Sequence, residues 1–325
     1  MWKNIVATAA LIAPLALPLS AAAQPAWPNQ PVKVIVAGGP GSGTDITARI
    51  FTEVLTKKFG QPFVVDNRPG ANGMLATQAA AKSPADGYTL LFTYAAAQVV
   101  NQSLYPKAGY DGAKDFAAVA QVGAGGNVLV VQPSVPVKDL KEFIAYAKSK
   151  PADDLAYGSW GVGSGGHLSM EALNQQTGLK TRHVPYKGTA PMITDLLGGQ
   201  IQVAFSATAT AIPHIQSGKL KALAYSAPTR SSLLPDVPTM NEQGVKFDLV
   251  AWYGLFAPAG TPAAVVNALN AEVNRVLQAP DMADKLKAIG LSDWPIKTSE
   301  QFAETVRRDI REWGDVVRKG NIKVE

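Results

Sequence analysis

Val128-Leu129-Val130-Val131-Gln132-Pro133 runs through Pro136 into a helical pattern over residues 138–148, and Tyr253-Gly254-Leu255-Phe256-Ala257-Pro258 runs through Thr261-Pro262 into another over residues 263–277. In both, an apolar strand stops at a proline, and a second proline stands near the first position of the next helix, where its missing N–H is not needed. One α/β unit used twice predicts two related lobes, with these strands lying where the chain crosses between them. The expected division is residues 24–127 plus 250–325 for a discontinuous first lobe and 128–249 for a continuous second one. Outward from the repeat, β-rich runs at residues 32–37, 63–66, 89–94, 155–158, 182–184, 202–205 and 220–224 alternate with helical patterns. Ile46, Ile50, Val54 and Leu55 have helical spacing, with Gly60 as a stop. Such alternation predicts α/β lobes with mainly parallel sheets.

At the N-terminus, Lys3 precedes an almost wholly apolar run over residues 5–19, and Ala21-Ala22-Ala23 precedes Gln24. This is the pattern of a secretory signal, residues 1–23, cleaved near Ala23/Gln24. The run is broken by Pro14 and Pro18 and falls short of the roughly 20 residues a bilayer-spanning helix requires. With no cysteine there is neither a disulfide framework nor a thiol for lipid attachment, so a diffusible periplasmic monomer is expected. Lys and Arg number 30 against 25 Asp and Glu, a balance too mild and too scattered for gripping nucleic acid or anionic lipid.

Three loops follow strands and open helices. Gly38-Gly39-Pro40-Gly41-Ser42-Gly43-Thr44-Asp45 is the first, and its glycines let backbone amides point at an anion. It lacks the lysine of a Walker loop, which Thr44 replaces, and the third glycine of a dinucleotide fingerprint. Thr44 or Asp45 is expected as the helix cap. Ser159-Trp160-Gly161-Val162-Gly163-Ser164-Gly165-Gly166-His167 is the second, and Pro185-Tyr186-Lys187-Gly188-Thr189-Ala190-Pro191, with Thr189 as expected cap, the third. Ligands of open α/β sheets sit at the carboxyl ends of strands, where these loops would lie. The expected ligand-binding set is Gly38, Gly39, Gly41, Ser42, Gly43, Thr44, Asp45, Ala95, Ser159, Trp160, Gly163, Ser164, His167, Tyr186, Lys187 and Ser206. Helix N-termini converging from two lobes would hold a carboxylate without arginine.

Catalytic signatures are missing. There is no G-x-S-x-G elbow, no H-E-x-x-H and no cysteine, and His167, His183 and His214 are scattered along the chain, so no enzyme, metal or cofactor is expected. Asp153-Asp154 reads as a solvated turn, and residues 302–317 as an amphipathic helix packed on the core.

Taken in order, P-G-x-x-T-D (Pro40 to Asp45), V-V-x-N-R-P-G-A-x-G (Val64 to Gly73), D-G-Y-T-L-L (Asp86 to Leu91) and N-x-S-L-Y (Asn101 to Tyr105) are joined by five further segments. These are H-V-P-Y-K-G (His183 to Gly188), D-L-L-G-G-Q (Asp195 to Gln200), P-H-I-x-S-G-K-L (Pro213 to Leu220), L-P-D-V-P-T (Leu234 to Thr239) and G-L-F-A-P-A-G-T-P (Gly254 to Pro262). The set resembles the solute receptors of tripartite tricarboxylate transporters, the TctC or Bug family. The resemblance implies a type II periplasmic-binding fold whose two lobes close over one solute. It also implies handover to integral-membrane subunits, with the carboxylate held by backbone amides and small hydroxyls. Against that family's usual pattern, Ala37 and Gly38 stand for proline and an aromatic residue, Trp160 for a small polar one, and Ser206 for a frequent aspartate. A volume opened at Gly38 and a flat ring at Trp160 predict an aromatic carboxylate such as a benzene dicarboxylate. The alternatives are an aliphatic di- or tricarboxylate, an amino acid, or a sensory role toward a histidine kinase.

Overall fold

The computed structural model of the protein describes residues 27–105, 107–247, 250–289, 291 and 293–323; the expected signal, residues 1–23, lies outside them. In chain order the elements are β1 (Val32–Val36), α1 (Gly43–Phe59), β2 (Phe63–Asn67), α2 (Met74–Ala81), β3 (Thr89–Tyr94), α3 (Asn101–Leu104), β4 (Phe116–Gly125), β5 (Asn127–Val131), α4 (Leu140–Lys148) and β6 (Ala156–Ser159). There follow α5 (Gly165–Thr177), β7 (Arg182–Pro185), α6 (Thr189–Leu197), β8 (Val203–Ala207), α7 (Thr208–Gln216), β9 (Lys221–Tyr225), β10 (Ala251–Pro258), α8 (Ala263–Leu277), α9 (Pro280–Ala288) and α10 (Ser299–Lys319). The apolar runs read from the sequence lie within one or two residues of these strands. β4 was not anticipated, because Phe-Ala-Ala-Val-Ala-Gln-Val-Gly-Ala-Gly is built from weak strand formers.

Two five-stranded sheets result, with orders β2-β1-β3-β10-β4 and β7-β6-β8-β5-β9. In each, one strand runs against the rest: β10 is antiparallel to β3 and β4, and β5 to β8 and β9. The expectation of mainly parallel sheets therefore needs one amendment, and it falls on the repeat, since β5 and β10 are the two proline-terminated strands and hold the same fourth place. A chain arriving from the other sheet enters at the carboxyl edge and must run back from it. The crossing peptides are consequently Gly126, between β4 and β5, and the segment before Ala251. The repeat strands themselves lie inside the sheets.

The crossing at Gly126 is tied down on the second side. Gly126 N–H donates to the Tyr225 hydroxyl at 2.6 Å, the Thr208 hydroxyl donates to Gly126 O at 2.9 Å, and Asn127 N–H donates to Ser226 Oγ at 2.7 Å. One face of the first sheet buries Val34, Phe51, Leu55 and Leu269 under α1 and α8. The outer face of the second buries Val130, Met192, Leu196 and Ala204. A third apolar cluster is shared by both sheets, joining Leu91, Phe256 and Phe302 to Leu168 and Phe205. The amphipathic α10 runs along this seam. Its Asp309 accepts from Trp252 Nε1 at 2.7 Å on β10, and its Val316 O accepts from Gln175 Nε2 at 3.0 Å on α5.

Candidate functional site: a crevice of helix N-termini

Because β5 and β10 start where the other strands end, the carboxyl ends of β1, β3, β6 and β8 all face the crossing. The pairings Tyr253 with Tyr94 and Asn127 with Ala207 fix this register. The first loop lies at the end of β1 and is organised from within. Asp45 is 2% exposed and accepts from Gly41 N–H at 2.9 Å, from Asn67 Nδ2 at 2.9 Å and from Arg49 Nε at 3.0 Å. Burial would raise its pKa, but the bonds from Arg49, Gly41 and Asn67 prevail and hold it below the usual carboxylate value. Asp45 is thus neither cap nor free carboxylate. The cap of α1 is Ser42, whose Oγ accepts from Asp45 N–H at 3.2 Å. Asn67, at the end of β2, also donates to Gly38 O at 2.8 Å and so clips the loop to the sheet.

Gly38 opens no volume. A Cβ there would press on Ser42 Oγ and stand 2.9 Å from Thr44 Cβ, so the space belongs to the loop itself. Gly43 likewise has no room for a side chain, with the Tyr253 hydroxyl 2.9 Å from where its Cβ would be, and Thr44 is buried beside it. Gly39 faces Pro69, and Gly41, at φ +77°, has nothing within 4 Å. Ala95, beside this loop at the end of β3, is buried and starts a π-type turn with no side-chain cap.

The second loop is held by rings. The His167 and His183 imidazoles stack 3.8 Å apart at 9°, with Tyr157 against His183 at 4.8 Å. His167 Nδ1 accepts from Gly163 N–H at 3.0 Å, and Ser159 Oγ lies 2.7 Å from His183 Nε2. Burial pushes the His167 pKa down to about 3, helped by its neighbour His183, and that of His183 to about 4. Two of the three histidines scattered in the sequence, His167 and His183, are therefore a single neutral brace. Ser164 caps α5. Trp160 is half-buried on its own lobe, its ring 3.3 Å from where a Cβ of Gly165 would stand and closer still to Gly166.

In the third loop Gly188, at φ +113°, rather than Thr189 caps α6, with no side-chain bond to the helix. Tyr186 turns its hydroxyl to Asp195 on α6 at 2.7 Å, and burial, with that carboxylate, raises its pKa to about 12. Lys187 is exposed and Ser206 fully buried. After Ser206 comes an N-terminus the sequence did not single out, that of α7, capped by Ala207 with no side-chain bond. The structure thus gathers two groups at strand ends, residues 38–45 with Ala95, and residues 159–167 with Ser206. Tyr186 adjoins the second loop, its N–H donating to Ser159 O at 2.9 Å and its ring lying beside Gly158, while Lys187 beyond it is exposed.

Asn72, in the turn before α2, links the second loop to β3 and α3. Its Nδ2 donates to Gly163 O at 3.4 Å and to Asn101 Oδ1 at 3.0 Å, while its Oδ1 accepts from the Tyr94 hydroxyl at 3.2 Å. Asn72 is left-handed at φ +51°, a conformation asparagine tolerates. Neither Asn67 nor Asn72 was assigned a role from the sequence, although both stand in the Val64 to Gly73 motif. No group of three or more metal-ligating side chains occurs among the described residues, and the two arginines beside the first loop, Arg49 and Arg68, pair with Asp45 and Asp66. The first two loops themselves offer an anion neutral donors: first-turn amides and small side chains.

A profile of the family described as "Tripartite tricarboxylate transporter family receptor" matches residues 47–322. The chain belongs to this receptor family. It is 36% identical to the protein BugT of Bordetella pertussis over 98% of this chain and 96% of that one. An R. palustris protein solved with adipate superposes with a TM-score of 0.80 at 34% identity, covering 92% of this chain and all of the other. MatC from Rhodopseudomonas palustris, solved with bound malate, gives 0.76 at 35% identity over 90% of this chain and all of that one. The fold is that of periplasmic solute-binding receptors, and no described helix of this family member is long and apolar enough to cross a membrane.

Proposed function

We propose that the protein is exported and captures a small organic dicarboxylate in the crevice between two lobes, residues 24–127 with 250–325 and residues 128–249, then presents it to the membrane subunits of a tripartite transporter. One observation carries the reading: the N-termini of α1, α5 and α7 open at strand ends that face one crossing, with no unpaired cation among the loops that form them. Three or four charge-assisted bonds at about 1.5–3 kcal/mol each, less the cost of association, reach the roughly −8 kcal/mol of micromolar binding.

An aliphatic acid is favoured. The space once expected at Gly38 is filled by Ser42 and Thr44, and the two relatives above hold adipate and malate. An aromatic diacid is the second reading, supported by the half-buried Trp160 ring beside the start of α5. Calorimetric titration of the protein from Gln24 onward with adipate, malate, terephthalate and benzoate separates them. Micromolar binding of adipate or malate is expected. Tight terephthalate binding, weakened tenfold by Trp160→Ala, would select the aromatic reading, and silence toward every diacid would overturn the assignment.

A further inference from the structure

Asn127 is the first residue past the Gly126 crossing, and only 6% of it is exposed. Its backbone is fully engaged, with N–H donating to Ser226 Oγ at 2.7 Å and C=O accepting from Ser226 N–H at 3.0 Å. No protein group among the described residues bonds its side-chain amide, although the other crevice asparagines, Asn67, Asn72 and Asn101, all bond through theirs. Neither polar atom of this carboxamide is among the fully buried atoms left without a partner, so it keeps an opening through which a solute or water can meet it.

Where the amide lies points to what meets it. Its Nδ2 is 3.2 Å from where a Cβ of Gly165 would stand, at the first residue of α5. Its cross-strand partner is Ala207, the cap of α7. Two helices of 13 and 9 residues therefore begin on either side of Asn127. Ser164 caps the first, while the second has no side-chain cap. Helix N-termini favour negative charge, and an amide N–H between them adds a directed donor.

We propose that Asn127 donates directly to a carboxylate oxygen of the solute, together with first-turn N–H groups of α5 and α7. This rests on the dicarboxylate reading above and names the side chain that serves it. Because Asn127 adjoins the peptide that passes between sheets, the same bond links occupancy to the position of the crossing. Glycine at 165 has a reason on this account: a side chain there would stand between the amide and the helix end.

The test uses adipate and malate as probes, with Asn127→Ala and the near-isosteric Asn127→Asp. Since the side chain bonds no protein group, both variants should melt near the wild type without ligand. Asn127→Ala should bind the better probe roughly 10- to 100-fold more weakly, the effect of losing one bond to a charged group. Asn127→Asp, which keeps the shape but replaces the donor with like charge, should bind more weakly still. A purely steric role would be rescued by aspartate. Binding by Asn127→Asp within about twofold of wild type would overturn the assignment of Asn127 alone, whereas a wild-type protein silent toward both probes would remove the dicarboxylate reading and this assignment with it.

Discussion

His167 and His183 lie face to face in the second loop and stay neutral because burial disfavours their charged forms. The unfolded chain takes up a proton at each near pH 6.5, while the folded one resists until about 4 and 3. Stability should thus be complete above pH 6.5 and fall as the pH drops toward 4, by up to about 1.4 kcal/mol per pH unit for each proton taken up by the unfolded state. Thermal melts across this range check it, and a flat midpoint between pH 7 and 4 would contradict the buried pair. His167→Asn should shallow the slope. Asn67→Ala, which frees Gly38 O and Asp45, should cost about 1–3 kcal/mol in denaturant unfolding and weaken solute binding as the first loop loosens. Valine at Gly41 or Gly163 is a poor probe, since both sit at positive φ and Gly163 is also pressed by Leu104, so lost binding there would report strain.

At the level of elements, the apolar runs and the proline-terminated repeat were legible because both are local patterns. That β5 and β10 are each reversed in the fourth place was not, since strand direction depends on where the chain re-enters a sheet. The glycine loops were legible as turns opening helices, but which side chains they use inwardly was not. Asp45 and Tyr186 read as polar groups facing a ligand, yet each has its partner a few residues away in the chain, Arg49 and Asp195. The histidine brace escaped for the opposite reason, its members being distant in sequence. α10 shows how a legible helix acquires a specific anchor: Asp309 is buried, accepts from Trp252 and pairs with Arg308. Burial, the largest influence on Asp309, lifts its pKa despite these partners. Asp309→Ala strands the Trp252 N–H and should cost about 2–4 kcal/mol in chemical unfolding, whereas Glu304→Ala on the same helix should be near neutral.

For the whole molecule, two sheets are joined at Gly126 and before Ala251, with α10 along the seam and one apolar cluster shared between them. The Asn72 to Gly163 contact joins the turn before α2, on the first side, to the second loop. Solute that bonds both loop groups should shift the population toward a closed arrangement, by as much as its affinity for the closed form exceeds that for the open one. Small-angle scattering of the protein from Gln24 onward, alone and with a saturating diacid identified by calorimetry, measures this directly. Capture between lobes predicts a smaller radius of gyration with ligand, and an unchanged radius at saturation would contradict it.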